Sequence, residues 1–234
     1  MTERILGIIG GVSPEASIDY YRRLVDGHRA RRTDRSYPRL LIDSIDGGDL
    51  LPAMLAGDYS STARAFEKAL AQLAAGGADL AIIASVTTHK VFDEVAATSP
   101  IPLLSIVDAV VRATQSAKVR RPALLATRPT MEGDFFSRPF DAAGIELIRP
   151  SEPARAWIQE IYFGELVKGV FRDETRMRLE SIVDSLRERS AIDGVILGGT
   201  ELPLMLRQPT YSGVPVLDAS AIHVDAALDW LFGS

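Results

Sequence analysis

The sequence predicts an α/β protein built as two pseudo-symmetric domains, each with a parallel sheet, mixed at its edge and flanked by helices, around an active-site cleft between them. Three observations carry this expectation. Short, almost uninterrupted apolar runs alternate with amphipathic stretches, the order reads βαβα, and segments of the first half recur in the second. Continuous apolarity marks parallel strands covered on both faces, and the alternation implies right-handed crossovers.

Taken in order, Ile5–Ile9, Leu40–Ile45, Leu80–Ala84, Pro102–Ile106, Ala123–Ala126, Ile145–Ile148, Val195–Leu197 and Val214–Leu217 read as buried strands. The helices between them show a 3.6-residue period. Ile18, Tyr21, Leu24 and Val25 line one of them; Phe66, Leu70 and Leu73 line another that Gly76-Gly77 closes; Leu179, Ile182, Val183 and Leu186 line a third. Ser13-Pro14-Glu15 reads as a helix start, with serine at the N-cap and proline in the first turn.

The repeat is specific enough to align. Gly77-Ala-Asp79-Leu-Ala-Ile-Ile-Ala-Ser85 resembles Ala191-Ile-Asp193-Gly-Val-Ile-Leu-Gly-Gly199, and Gly10-Gly-Val-Ser13-Pro-Glu15 resembles Thr127-Arg-Pro-Thr130-Met-Glu132. The two alignments are offset by nearly the same distance, which points to a duplicated half. The domains expected are residues 1–112 plus 218–234, and 113–217. Ligands of open α/β sheets sit beyond the carboxyl ends of the strands. Four such ends are therefore expected to meet: Gly10–Ser13, Ser85–Thr88, Thr127–Thr130 and Gly199–Glu201. Each is followed by a helix whose first N–H groups favour a small carboxylate.

Composition removes several alternatives. The chain has 234 residues, 47% of them hydrophobic, enough for a substantial core. A net charge of −5 disfavours a sequence-independent grip on nucleic acid. No apolar run reaches the roughly 18 residues of a membrane span, and Met-Thr-Glu-Arg leads straight into a strand, so a cytoplasmic protein with no membrane partner is expected. The absence of cysteine excludes disulfides and thiol chemistry.

The familiar catalytic motifs fit poorly. Gly7-Ile-Ile-Gly10-Gly11 lacks both the dinucleotide spacing and the Lys-Ser/Thr of a phosphate loop, and Ser85 does not stand in a nucleophile elbow. His28, His89 and His223 are not spaced as metal ligands, so no metal is expected. His89 suits either the rim of the site or a bond to a backbone carbonyl, whereas His223 and Asp225 read as part of a partly buried helix face. Lys168, set between apolar residues, either reaches water or pairs with a substrate carboxylate. His28 to Arg35 reads as a solvated helix end.

At these residues the sequence resembles the cofactor-independent aspartate/glutamate racemase family, most closely its aspartate racemase branch. The resemblance runs almost end to end. Gly10-Gly-Val-Ser-Pro-Glu-Ala-Ser-Ile-Asp-Tyr-Tyr21 is similar to the family's GGMSPEST-x-x-YY, and Ile82-Ile-Ala-Ser-Val-Thr-Thr-His89 stands where IACNTxH is found. Leu125-Ala-Thr-Arg-Pro-Thr-Met-Glu132 matches LGT-x-x-TM, and Val195-Ile-Leu-Gly-Gly-Thr-Glu-Leu-Pro203 matches VILGCTELP.

The resemblance implies a homodimer, no cofactor, and an isomerase that uses two cysteines on opposite faces of the substrate α-carbon. Those two positions are Ser85 and Gly199 here, so both thiols are missing. Thr87, Thr127, Thr130, Lys168 and Thr200 match the contacts to substrate carboxylate and amino groups, as does Ser13. Val86 replaces an asparagine, and Val12 a methionine.

The resemblance thus implies chemistry at the α-carbon of an acidic amino acid or a related carboxylate. A hydroxyl at 85 is a weak acid unless a base activates it, and glycine at 199 supplies no group at all. His89 and Glu201 are the candidates to act instead. One-sided chemistry, by a lyase, decarboxylase or hydrolase, is an alternative, with Gly199 leaving room for a larger substrate. A non-catalytic carboxylate-binding protein is another.

Overall fold

The computed structural model describes residues 4–32, 34 and 36–233. Met1 to Glu3 of the N-terminal stretch, Thr33 and Arg35 of the arginine-rich stretch, and Ser234 lie outside the described residues. The chain divides into two compact units, Met1–Ile106 with His223–Ser234, and Val107–Ile222.

The first unit contains β1 (Ile5–Gly10), α1 (Pro14–Arg31), β2 (Arg39–Ser44), α2 (Gly47–Leu55), α3 (Ser60–Ala75) and β3 (Leu80–Ile83). A 3-10 turn (Thr87–Val91), α4 (Phe92–Thr98), β4 (Leu103–Leu104) and the first residue of α5 (Ile106–Ser116) follow. The second contains the rest of α5, then β5 (Pro122–Leu125), α6 (Arg128–Glu132), α7 (Asp134–Ala142), α8 (Glu152–Gly164), a 3-10 turn (Leu166–Lys168) and α9 (Asp173–Ser190). It ends with β6 (Gly194–Leu197), α10 (Leu202–Met205), β7 (Thr210–Tyr211), β8 (Val214–Asp218) and the start of α11 (Ala219–Phe232), whose later turns belong to the first unit.

The sheet of the first unit has the order β2-β1-β3-β4 and is parallel throughout. Alternate residues face opposite layers. Ile9, Ala81 and Ile83 pack with Leu50, Met54, Phe66, Leu70 and Leu73 of α2 and α3. Leu6, Ile8, Leu80 and Ile82 pack with Tyr20 and Leu24 of α1 and with Val224, Ala227 and Leu228 of α11. The face of α1 differs from the expected one: Ile18 and Tyr21 are about half exposed (52% and 51%), while Ala16, Tyr20, Leu24 and His28 are buried. Strand β2 lies at the edge and is only partly buried, not a covered strand.

The second sheet has the order β5-β6-β8-β7, parallel except for the short antiparallel strand β7, which gives the mixed edge expected although the sequence marks no strand at Thr210–Tyr211. The strand expected at Ile145–Ile148 is reduced to a single parallel bridge, Ile148 with Ala123. That bridge lies beside β5 as β2 lies beside β1, so the two units share one topology. The repeat also holds at atomic level. Asp79 accepts the Ile5 N–H at 2.8 Å, and Asp193 accepts those of Arg120 and Arg121 at 2.7 and 2.8 Å. Two residues before each aspartate the backbone turns left-handed, at Gly77 (φ 90°) and Ala191 (φ 48°). Among the described residues no helix is long and apolar enough to cross a membrane.

Candidate functional site

In the first unit β1 and β3 are neighbours, so Gly10–Ser13 and Ser85–Thr88 leave the sheet side by side. The turn after β1 is tight. Gly11 sits at φ 88°, and a side chain there would strike the Ile45 carbonyl, so only glycine fits. Ser13 precedes α1 as expected, with Pro14 in the first turn, but its hydroxyl makes no capping bond. The Ser13 Oγ is instead buried and has no hydrogen-bond partner, an unusual state for a hydroxyl. Val12 packs against the core beside α2 and α3.

Ser85, Val86, Thr87 and His89 are all buried. The helix expected after Ser85 is a 3-10 turn that runs into α4. His89 Nδ1 donates to the Ser85 carbonyl at 2.7 Å, while Nε2 accepts the Ile106 N–H at 3.2 Å. Its ring stacks on Phe92 with centroids 5.1 Å apart. Burial pushes its pKa down to about 4. A neutral imidazole with one donor and one acceptor is what those two backbone groups require. His223, expected to be partly buried, is fully so: Tyr20 Oη donates to its Nδ1 at 3.0 Å and its Nε2 donates to the Leu104 carbonyl at 3.0 Å. Asp225 is exposed and pairs with Arg31.

In the second unit β5 and β6 are neighbours, and the Gly198 N–H donates to the Leu125 carbonyl at 2.8 Å. The Thr127–Thr130 and Gly199–Glu201 ends therefore adjoin. Thr127 and Thr130 are buried, with their hydroxyls 3.1 Å apart. The expected helices follow as α6 and α10, which span only five and four residues. Lys168 is exposed at the end of its 3-10 turn, before Gly169 in the left-handed region.

Helix α8 covers both loops. Gln159 Oε1 accepts the Arg128 N–H at 2.7 Å. One turn later the buried Tyr162 donates a hydrogen bond to Oε2 of Glu201, which also accepts from Thr200 Oγ1 at 2.9 Å. The sequence reading did not single out Tyr162; its only local signal was an aromatic residue on an amphipathic helix. Its position corrects another expectation. A Cβ placed on Gly199 would lie 2.5 Å from Tyr162 Oη, so the space beside the glycine is filled by a phenol rather than left for a larger substrate. Among the described residues no group of three or more His, Asp and Glu side chains is arranged to hold a metal ion.

Comparison with known proteins identifies the family and the fold. The family model described as Asp/Glu/Hydantoin racemase matches residues 9–227. A Yersinia pestis protein assigned as an Asp/Glu racemase superposes with a TM-score of 0.86 at 31% identity, over 98% of this chain and 99% of its own. An aspartate racemase homologue from Pyrococcus horikoshii gives 0.84 at 31% identity, over 99% and 100%. The broad specificity amino-acid racemase RacX of Bacillus subtilis (strain 168) is 20% identical over 222 residues, 93% of each chain.

Proposed function

The chain belongs to the Asp/Glu/hydantoin racemase family, and from that premise we propose that it is an isomerase, racemase- or epimerase-like, acting at the α-carbon of an acidic amino acid or related small carboxylate. It works without a bound cofactor and with acid–base groups other than thiols. The observation that carries this reading is Ser13, a buried hydroxyl without a partner at the head of an 18-residue helix. A carboxylate placed there would gain both a hydroxyl donor and the positive end of the helix.

Within the same reading Ser13, Thr87 and the apolar Val12 and Val86 shape the substrate contacts of the first unit. Thr127, Thr130, Thr200 and Lys168 supply those of the second. Hydroxyls suit this task because they stabilise the charge that develops on a carboxylate when its α-proton leaves. Ser85 offers a hydroxyl at its strand end. His89 has both ring nitrogens bound to backbone, and it acts by holding the Ser85 loop in place rather than by moving a proton. The reading extends to a cytoplasmic homodimer, supported by the exposed Ile18 and Tyr21 on one face of α1; light scattering of the purified protein tests the dimer.

Proton NMR in D₂O with each enantiomer of aspartate and glutamate tests the function. The α-proton signal of at least one substrate should fade, and chiral analysis should show the opposite enantiomer accumulating. Exchange that retains configuration would leave one-sided chemistry, and no exchange by folded protein on any of these acids would remove the reading.

A further inference from the structure

Tyr162 occupies the place that a side chain at 199 would take. An ideal Cβ on Gly199 lies 2.5 Å from Tyr162 Oη, 2.8 Å from Cε2 and 3.0 Å from Cζ. The phenol oxygen is thus held at the carboxyl end of β6, in the repeat position equivalent to Ser85. Its hydroxyl donates to Glu201 Oε2 and receives the Glu201 N–H at 3.4 Å. Tyr162 and Glu201 are 4% and 2% exposed. Packing alone does not call for this pair, since phenylalanine would fill the ring volume without burying a phenol against a carboxylate.

We infer that Tyr162 and Glu201 form the acid–base group of the second unit, the phenol meeting the substrate α-proton and the carboxylate receiving the charge. The inference rests on the function proposed above. In the forward step the α C–H bond breaks, and its electron pair stays on the substrate, delocalised into the carboxylate. The departing proton bonds to Tyr162 Oη as the phenol's own proton passes to Glu201 Oε2. Tyrosine is neutral before and after, and Glu201 ends as a carboxylic acid. Run in reverse, the same relay returns a proton to the α-carbon. Burial and the adjacent carboxylate hold the phenol pKa well above its usual value, which suits a group that passes protons without ionising.

The test is exchange of the α-proton for deuterium by the full-length protein and by Tyr162→Phe and Glu201→Gln, with racemisation kinetics on the same substrate. General acid–base groups contribute roughly 10²- to 10⁴-fold. Tyr162→Phe should therefore lower kcat at least about a hundredfold, with KM within about threefold and the fold intact by circular dichroism. Glu201→Gln should lower kcat similarly with KM within about threefold, a split that a packing defect would not produce. It also stands in if Tyr162→Phe fails to fold. Wild-type exchange that survives undiminished in both variants, or a loss confined to KM, overturns the relay while leaving the function standing. No exchange by the wild type on any acid tried overturns both.

Discussion

At the end of β3 the chain places a serine whose carbonyl is clamped by a histidine four residues later. At the end of β6 it places a glycine whose missing side chain is replaced by a tyrosine from α8, an element distant in the chain. The two loops follow equivalent strands in sheets of matching order, yet one is organised locally and the other by a distant element. The lesson is that a duplicated scaffold fixes where a side chain is needed without fixing which segment supplies it.

The sharpest way to break the comparison is acid. All three histidines, His28, His89 and His223, lie in the first unit. Burial lowers His89 to about 4 and His223 to about 3, the latter aided by the neighbouring His89, and His28 is also lowered, chiefly by burial. Between the ordinary histidine value of 6.5 and those folded values, the unfolded chain binds more protons than the folded one. Stability contributed by the neutral rings is therefore complete above pH 6.5 and lost as pH falls toward 4, by about 1.4 kcal/mol per buried histidine per pH unit. The first unit should open before the second. Trp230 and Trp157 report the two units separately, so acid titration of Trp157→Phe and Trp230→Phe should give a higher midpoint pH where Trp230 is the probe. Coincident midpoints would contradict the assignment.

A smaller effect separates the two loops directly. Gly199→Cys should destabilise by about 1–3 kcal/mol through overpacking against Tyr162, seen as a melting temperature several degrees lower. Adding Tyr162→Ala should cost less in that background than in the wild type, because the clash goes with the ring. Additive losses would mean that the phenol does not fill this space.

The third expectation concerns the paired left-handed turns. Ala191 holds φ 48° where its counterpart is Gly77. Ala191→Gly should relieve left-handed strain and raise stability by about 1 kcal/mol, measurable by urea denaturation. The smallest effect belongs to Ser85→Cys, which adds no heavy atom and should shift stability by less than about 0.5 kcal/mol. A loss as large as that of Gly199→Cys would erase the contrast between the loops.

Much of this architecture is legible in the sequence, for a physical reason. Strands such as Leu80–Ile83 and Gly194–Leu197 are buried along their whole length, so their apolarity has no gaps to mislead. The repeat is legible because Asp79 and Asp193 do the same work in both halves. The buried face of α1 was misjudged because Ile18 and Tyr21 have the same helical spacing as the true stripe, and Tyr20 is committed by a bond to His223, 203 residues away. Ile145–Ile148 has strand composition but forms only a single bridge with β5. At the site, the strand-end hydroxyls could be named from motif and position. Tyr162 could not, since its importance comes from the void at Gly199 and the carboxylate of Glu201, neither visible along the helix that carries it.

The Gly199–Tyr162 fit also bears on how such a sequence can change over generations. With the tyrosine seated, any side chain introduced at 199 meets a ring; with the glycine retained, loss of the tyrosine leaves a hole and a buried carboxylate held only by Thr200. Each single step is unfavourable, and only the two together restore packing, so their effects depend on one another. A lineage holding this pair is therefore poorly placed to acquire a side chain at 199 by one substitution. Position 85 already carries a side chain, so the two halves of the repeat meet different constraints at equivalent positions.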